Sequence, residues 1–155
     1  MKKVKLYATG IFVVTVLVAI QGLACGCPDL GDPLEIKVRY AVKEADAVFA
    51  GEVLSVSDKG SFKSVDLSLI TLWKGNDDLA DKVAVLTPRN GAACGIDFIV
   101  GEKYLVYASF STENSSEPTL NAWLCSRTRL LSKQRADLPY LGKGKTLKSS
   151  TESKP

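Results

Sequence analysis

The hydrophobic pattern of the chain changes period along its length. Lys2, Lys3 and Lys5 precede an uncharged apolar run from Leu6 to Ile20, followed by the small residues Gly22 and Ala24. Basic, apolar and small segments in that order are the layout of a secretory signal peptide, residues 1–24, cut before Cys25. The stretch from Leu6 to Pro28 carries no charge and is long enough to span a bilayer, so an uncleaved anchor is the competing reading. The Gly-x-Ala step directly after the apolar core favours cleavage.

Beyond Pro28 to Pro33, a turn-rich stretch, Leu34, Val38, Ala41, Val42 and Ala45 recur at helical spacing. Asp32 is expected to cap this helix, with Pro33 in its first turn. The period then shortens. Ala47 to Val56 is a strand-like run, and Val65, Leu67, Leu69, Thr71 and Trp73 alternate with Ser64, Asp66 and Ser68. Lys82 to Thr87, Lys103 to Phe110 and Leu120 to Cys125 are three more such runs. Turn-formers separate them: Asp58-Lys59-Gly60-Ser61, Lys74-Gly75-Asn76-Asp77-Asp78, Asn90-Gly91, Gly101-Glu102 and Asn114-Ser115-Ser116. Five short strands joined by hairpin-like connections predict a closed or nearly closed antiparallel barrel. Leu130, Leu131, Leu138 and Leu141 predict a short helix packed on it, ended or kinked by Pro139. Residues 143–155 hold one large apolar side chain, Leu147, and are expected to be a disordered tail.

Charge adds little once the leader is set aside. Of 20 Lys and Arg against 17 Asp and Glu, three lysines and no acid lie in residues 1–24, so the mature chain is formally neutral. Its 131 residues make one domain, residues 25–142 plus the tail, and neutrality speaks against nucleic-acid or anionic-membrane partners. Trp73 and Trp123 lie in strand-like runs and read as packing residues rather than base-stacking platforms.

The four cysteines, Cys25, Cys27, Cys94 and Cys125, form an even set in a secreted context, which predicts two bridges. A lipoprotein acylated on Cys25 would leave an odd thiol, and Gly22 stands where such sites prefer a branched aliphatic residue. Zinc binding by these thiols is disfavoured by the tight Cys25-x-Cys27 spacing and by oxidation. There is no histidine, which removes the usual general base and the Ser-His and Cys-His pairs, so an enzyme is not expected. Carboxylate pairs among Glu44, Asp46 and Glu52, or Asp77 and Asp78, sit in charged or turn-forming stretches and read as surface.

Several segments together resemble the tissue inhibitors of metalloproteinases and the wider netrin-like modules. They are Cys25-x-Cys27 directly after a signal peptide, Ala47-Val48-Phe49-Ala50-Gly51-Glu52-Val53, Leu72-Trp73-Lys74-Gly75, Ala93-Cys94-Gly95, the hairpin from Val100 to Tyr107, and Cys125-Ser126-Arg127. The resemblance spans roughly Cys25 to Gly142. It implies a mainly β fold, a five-stranded closed or partly open Greek-key barrel of the oligonucleotide-binding type with flanking short helices and two disulfides. Those bridges would be Cys25 to Cys94 and Cys27 to Cys125.

In the resembled inhibitors the amine and carbonyl of the first cysteine chelate the catalytic zinc of the protease and displace its water. Carried to this chain, Cys25 is the zinc ligand, Gly26, Cys27 and Pro28 form the wedge, and Ala92, Ala93 and Cys94 lie alongside. The implied protein is a secreted monomer, periplasmic in a Gram-negative cell, with no cofactor of its own and a zinc metalloprotease as partner. Gly26 departs from the pattern, because the side chain after the first cysteine enters the protease specificity pocket and here there is none. The second, disulfide-rich domain of the resembled animal inhibitors is not expected here. The alternative is a netrin-like extracellular protein-binding module that never touches a metal.

Overall fold

A computed structural model of the protein describes residues 25–27, 31–76, 79, 81–112 and 117–147. The expected signal segment 1–24, Pro28, Asp77, Asp78, Asn114 to Ser116 and the end of the expected tail lie outside the described residues.

Helix α1 (Leu34–Glu44) forms where the apolar spacing predicts it, with Glu35 in its first turn and Lys43 in its last, both complementary to the helix dipole. Asp32 does not cap it: the N-cap position is Pro33, and no side chain bonds the first-turn amides. Its C-terminus is closed from the sheet instead, by Lys74 Nζ donating to the carbonyls of Val42 (2.8 Å) and Lys43 (3.2 Å).

Strands β1 (Ala47–Lys59) and β2 (Phe62–Lys74) make a long hairpin around Gly60 and Ser61. They are followed by β3 (Lys82–Pro88), β4 (Lys103–Ser111) and the short β5 (Thr119–Asn121). β1 pairs with β2, β2 with β3, β3 with β5, β5 with β4, and β4 with β1, so the five strands close into a ring. The fold is mainly β with short helices and two disulfides, as expected. One closure differs from an all-antiparallel barrel: β3 and β5 are parallel, through Val85 with Leu120 and Leu86 with Asn121. The strand after the fourth run is also shorter than its hydrophobicity suggests: Ala122 N still donates to Leu86 O of β3, and Trp123 to Cys125 then turn away, with Ser126 N donating to Trp123 O.

The first half of β1 is buried on both faces, which is why Ala47 to Val53 reads as continuous rather than alternating. Phe49, Val53, Val65, Leu67, Leu69, Val85, Val106 and Leu120 fill the ring. On the other face Val48, Leu105 and Tyr107 pack under α1 and the C-terminal segment, against Ala41, Val42, Leu131 and Leu138. Gly51 of β1 sits close against β2: a Cβ there would lie 3.1 Å from the Ser68 carbonyl and 3.3 Å from Leu67 Cβ.

The segment from Leu130 onward is not the single helix its leucine spacing predicts. It holds strand β6 (Arg129–Leu130), a 3-10 turn (Arg135–Asp137) and helix α2 (Leu138–Leu141). Pro139 lies in the first turn of α2, where its missing N–H has no helical partner to lose, so it opens the helix rather than ending one. Nor is the start of the tail free: Lys145–Thr146 (β7) pairs with Leu72 and Thr71, and Leu147 N donates to Ile70 O. Among the described residues no helix is long and apolar enough to cross a membrane.

Candidate functional site

The site is built from a turn, a bridge pair and the segment Cys25–Cys27. After β3, Asn90 closes a tight turn: its Oδ1 and its carbonyl both accept from Ala93 N at 3.1 Å, and its carbonyl accepts from Gly95 N at 2.8 Å. Cys94 is thereby driven into the left-handed region (φ 65°), and Gly95 is packed so closely that a Cβ would overlap the Pro88 carbonyl. The Ile96 amide then returns to Thr87 Oγ1 at 2.9 Å, fastening the far side of the loop to β3.

Disulfides join Cys25 to Cys94 and Cys27 to Cys125, the pairing that the resemblance implies, each with its Cα atoms 5.2 Å apart. The anchoring halves of the bridges are themselves linked, since Leu124 N donates to Cys94 O at 2.8 Å. Cys25, Gly26 and Cys27 are thus pinned at two points to the outside of the ring. Cys25 is half-buried, while Gly26, Cys27, Ala92 and Ala93 are exposed. Six of the seven residues expected at a binding ridge are brought together in this way, and Pro28 lies outside the described residues. A Cβ on Gly26 would meet nothing within 4 Å.

The hairpin tip leans on the same loop. Arg89, one residue before Asn90, donates to Gly60 O (3.1 Å) and Asp58 Oδ2 (3.2 Å), and its own amide bonds Ser61 O. Trp123 meets Phe62 edge to face at 6.3 Å, the packing role expected of it. Trp73 is half-buried and donates Nε1–H to Gly142 O.

A polar centre that the sequence did not disclose lies beneath Cys125. Asp137, 1 % exposed, accepts from Tyr107 Oη (2.8 Å), Arg127 Nε (3.1 Å) and Nη2 (2.7 Å), and Gln134 Nε2 (2.9 Å). The bond to Asp137 raises the Arg127 pKa further. Burial, reinforced by the neighbouring carboxylate, pushes the Tyr107 phenol well above the ordinary tyrosine range. Arg127 stands in the left-handed region (φ 66°), so this ion pair fixes an unusual backbone two residues from the bridge. That is the part Cys125-Ser126-Arg127 plays here. Only the quoted motif pointed to it, because a lone Asp137 among leucines carries no periodic signal.

Of the acidic residues considered for catalysis, Asp46 and Glu52 have structural partners, and Asp77 and Asp78 lie outside the described residues. Asp46 Oδ2 accepts from the Phe110 amide at 2.7 Å, and Glu52 faces Lys103 at 4.0 Å on the surface. Among the described residues no group of three or more His, Cys, Asp or Glu could hold a metal ion, and all four cysteine sulfurs are in bridges. Beside the bridge pair a cleft of about 730 Å³ runs between α1 and residues 124–134, lined by Cys27, Ile36, Tyr40, Leu124 and Arg129 among others.

Cut before Cys25, residues 25–27 would offer main-chain groups, since Gly26 carries no side chain. An α-amine at Cys25 would have a reference pKa of about 7.7 to 8.0, so its proton is readily lost to a metal, and the carbonyl of the same residue closes a five-membered chelate. No family model matches the chain, and no curated protein does.

Proposed function

We propose that the protein is a secreted inhibitor of zinc metalloendopeptidases, which binds the protease zinc through the amine and carbonyl of Cys25. The reading is supported above all by the two bridges on either side of Gly26, which hold residues 25–27 at fixed positions on the barrel. A pre-organised chelate loses little entropy on binding. The exposed Ala92 and Ala93 stand beside it as flanking contacts, and the metal belongs to the protease. Complete pairing of the cysteines supports an oxidising, extracellular setting.

The test is an inhibition assay against several zinc endopeptidases, with the mature N-terminus first established by mass and sequencing. One Ala added before Cys25 removes the chelate and blocks the wedge, and is expected to abolish inhibition while leaving both bridges intact. Gly26→Thr is expected to strengthen binding several-fold, since a buried methyl-sized group contributes about 0.8 kcal/mol. Among the described residues a Cβ at this position meets nothing within 4 Å. Equal inhibition by the native and extended proteins, or none by any form, would replace this reading with a netrin-like protein-binding module.

A further inference from the structure

We infer that Asn90–Gly91 is a site of spontaneous deamidation, at which the protein acquires a carboxylate, and in part an isoaspartyl linkage, in the turn that carries Cys94. Both residues are exposed. Asn90 Oδ1 already accepts a hydrogen bond from Ala93 N–H at 3.1 Å. That donor points at the oxygen on which negative charge develops when the side-chain carbonyl is attacked, so it favours the addition. Neither the Gly91 amide nor Asn90 Nδ2 makes a hydrogen bond to another described residue, leaving both the attacking and the departing nitrogen free. A Cβ at Gly91 would meet nothing within 4 Å, so the approach is also open.

The step conserves atoms without any oxidant or reductant. Gly91 N loses its proton and bonds Asn90 Cγ, the Cγ–Nδ2 bond breaks, and ammonia leaves with the proton, giving a succinimide. Water then opens the ring at either carbonyl, to aspartate or to isoaspartate. Asn90 starts from an extended ψ of 168°, so its main chain must rotate before the ring can close. The isoaspartyl product inserts a methylene between residues 90 and 91. It also removes from the main chain the carbonyl that now receives Ala93 N and Gly95 N. The loop has no slack for this, since Gly95 sits against Pro88 and Asn90.

The experiment ages the secreted protein at mildly alkaline and at mildly acidic pH and maps unreduced peptides by mass, with Asn76 (exposed, followed by Asp77) and Asn121 (2 % exposed, followed by Ala122) as internal controls. Conversion is expected first and fastest at Asn90, faster at the higher pH, with both acid products present and a lowered thermal midpoint in the isoaspartyl fraction. Gly91→Ala, which the open space and the non-left-handed backbone at this position tolerate, is expected to slow conversion several-fold with the fold unchanged. No conversion at Asn90, conversion no faster than at Asn76, or a Gly91→Ala rate equal to the native rate overturns the inference.

Discussion

Tyr107 and Asp137 show how one buried polar contact sets the behaviour of a whole corner of the molecule. The phenol donates to a carboxylate that also receives three N–H groups, so ionising it would place a second negative charge beside the first where both Tyr107 and Asp137 are buried. Its pKa in the folded protein therefore lies above the value of 10.0 that it has when the chain is unfolded. Above pH 10 the unfolded chain gives up this proton while the folded one keeps it, so stability present below pH 10 is lost as pH rises. The urea midpoint is expected to stay level from neutral pH to about 9.5 and to fall beyond 10. Tyr107→Phe should flatten that fall in part; Tyr104, whose pKa burial also raises, supplies the remainder. A midpoint unchanged up to pH 11 would contradict this. Asp137→Asn, which leaves Arg127 without its counter-charge, is expected to cost about 3 kcal/mol. That figure sits at the low end for a broken ion pair because the Arg127 side chain keeps 22 % exposure.

Among the elements, the C-terminal strap is the one whose sequence says least about its role. Gly142 O accepts from Trp73 Nε1, Lys145 and Thr146 pair with β2, Gly144 is pressed against Thr71 and Trp73, and Leu147 packs on the core. Truncation after Gly142 is accordingly expected to cost about 1 kcal/mol, the scale of one hydrogen bond or one partly buried leucine above the entropy of ordering five residues. It should also expose Trp73 to solvent, read as a shift in its fluorescence. Truncation after Leu147 should change neither, and equal midpoints for the two truncations would show that the strap contributes nothing. This segment was illegible because five residues with one leucine carry no period. The long strands were legible for the opposite reason: Val65, Leu67 and Leu69 alternate with polar neighbours over a hairpin whose register the ring interior fixes. The leucines after Cys125 misled, since helical spacing over so short a stretch yields to the tertiary contacts of Asp137. At the candidate site, the even cysteine count pointed to bridges, but four cysteines allow three pairings, and only the resemblance selected one.

For the whole molecule, the two bridges span 69 and 98 residues, and most of both loops is the same chain. Closing either loop alone constrains the unfolded chain by roughly 4 to 5 kcal/mol. With one bridge in place, the second closes a smaller circuit, residues 25–27 together with 94–125, and its further contribution is about 4 kcal/mol. Two effects therefore separate in a set of paired variants. Replacing Cys27 and Cys125 by Ala should lower the urea-unfolding free energy by about 4 kcal/mol, and replacing Cys25 and Cys94 by nearly the same amount. The fold should survive either change, because the ring closes through β1, β4, β5 and β3 without either bridge. What differs between the variants is residues 25–27: loss of Cys27–Cys125 leaves them tethered by one bridge, so under the proposed function inhibition should weaken while the ladder remains intact by amide exchange. Loss of both bridges should cost slightly more than twice the single change, since the last bridge removed closes the full loop. If either single pair leaves the unfolding free energy unchanged, the bridges serve only to position residues 25–27, and the ring is stable by its packing alone.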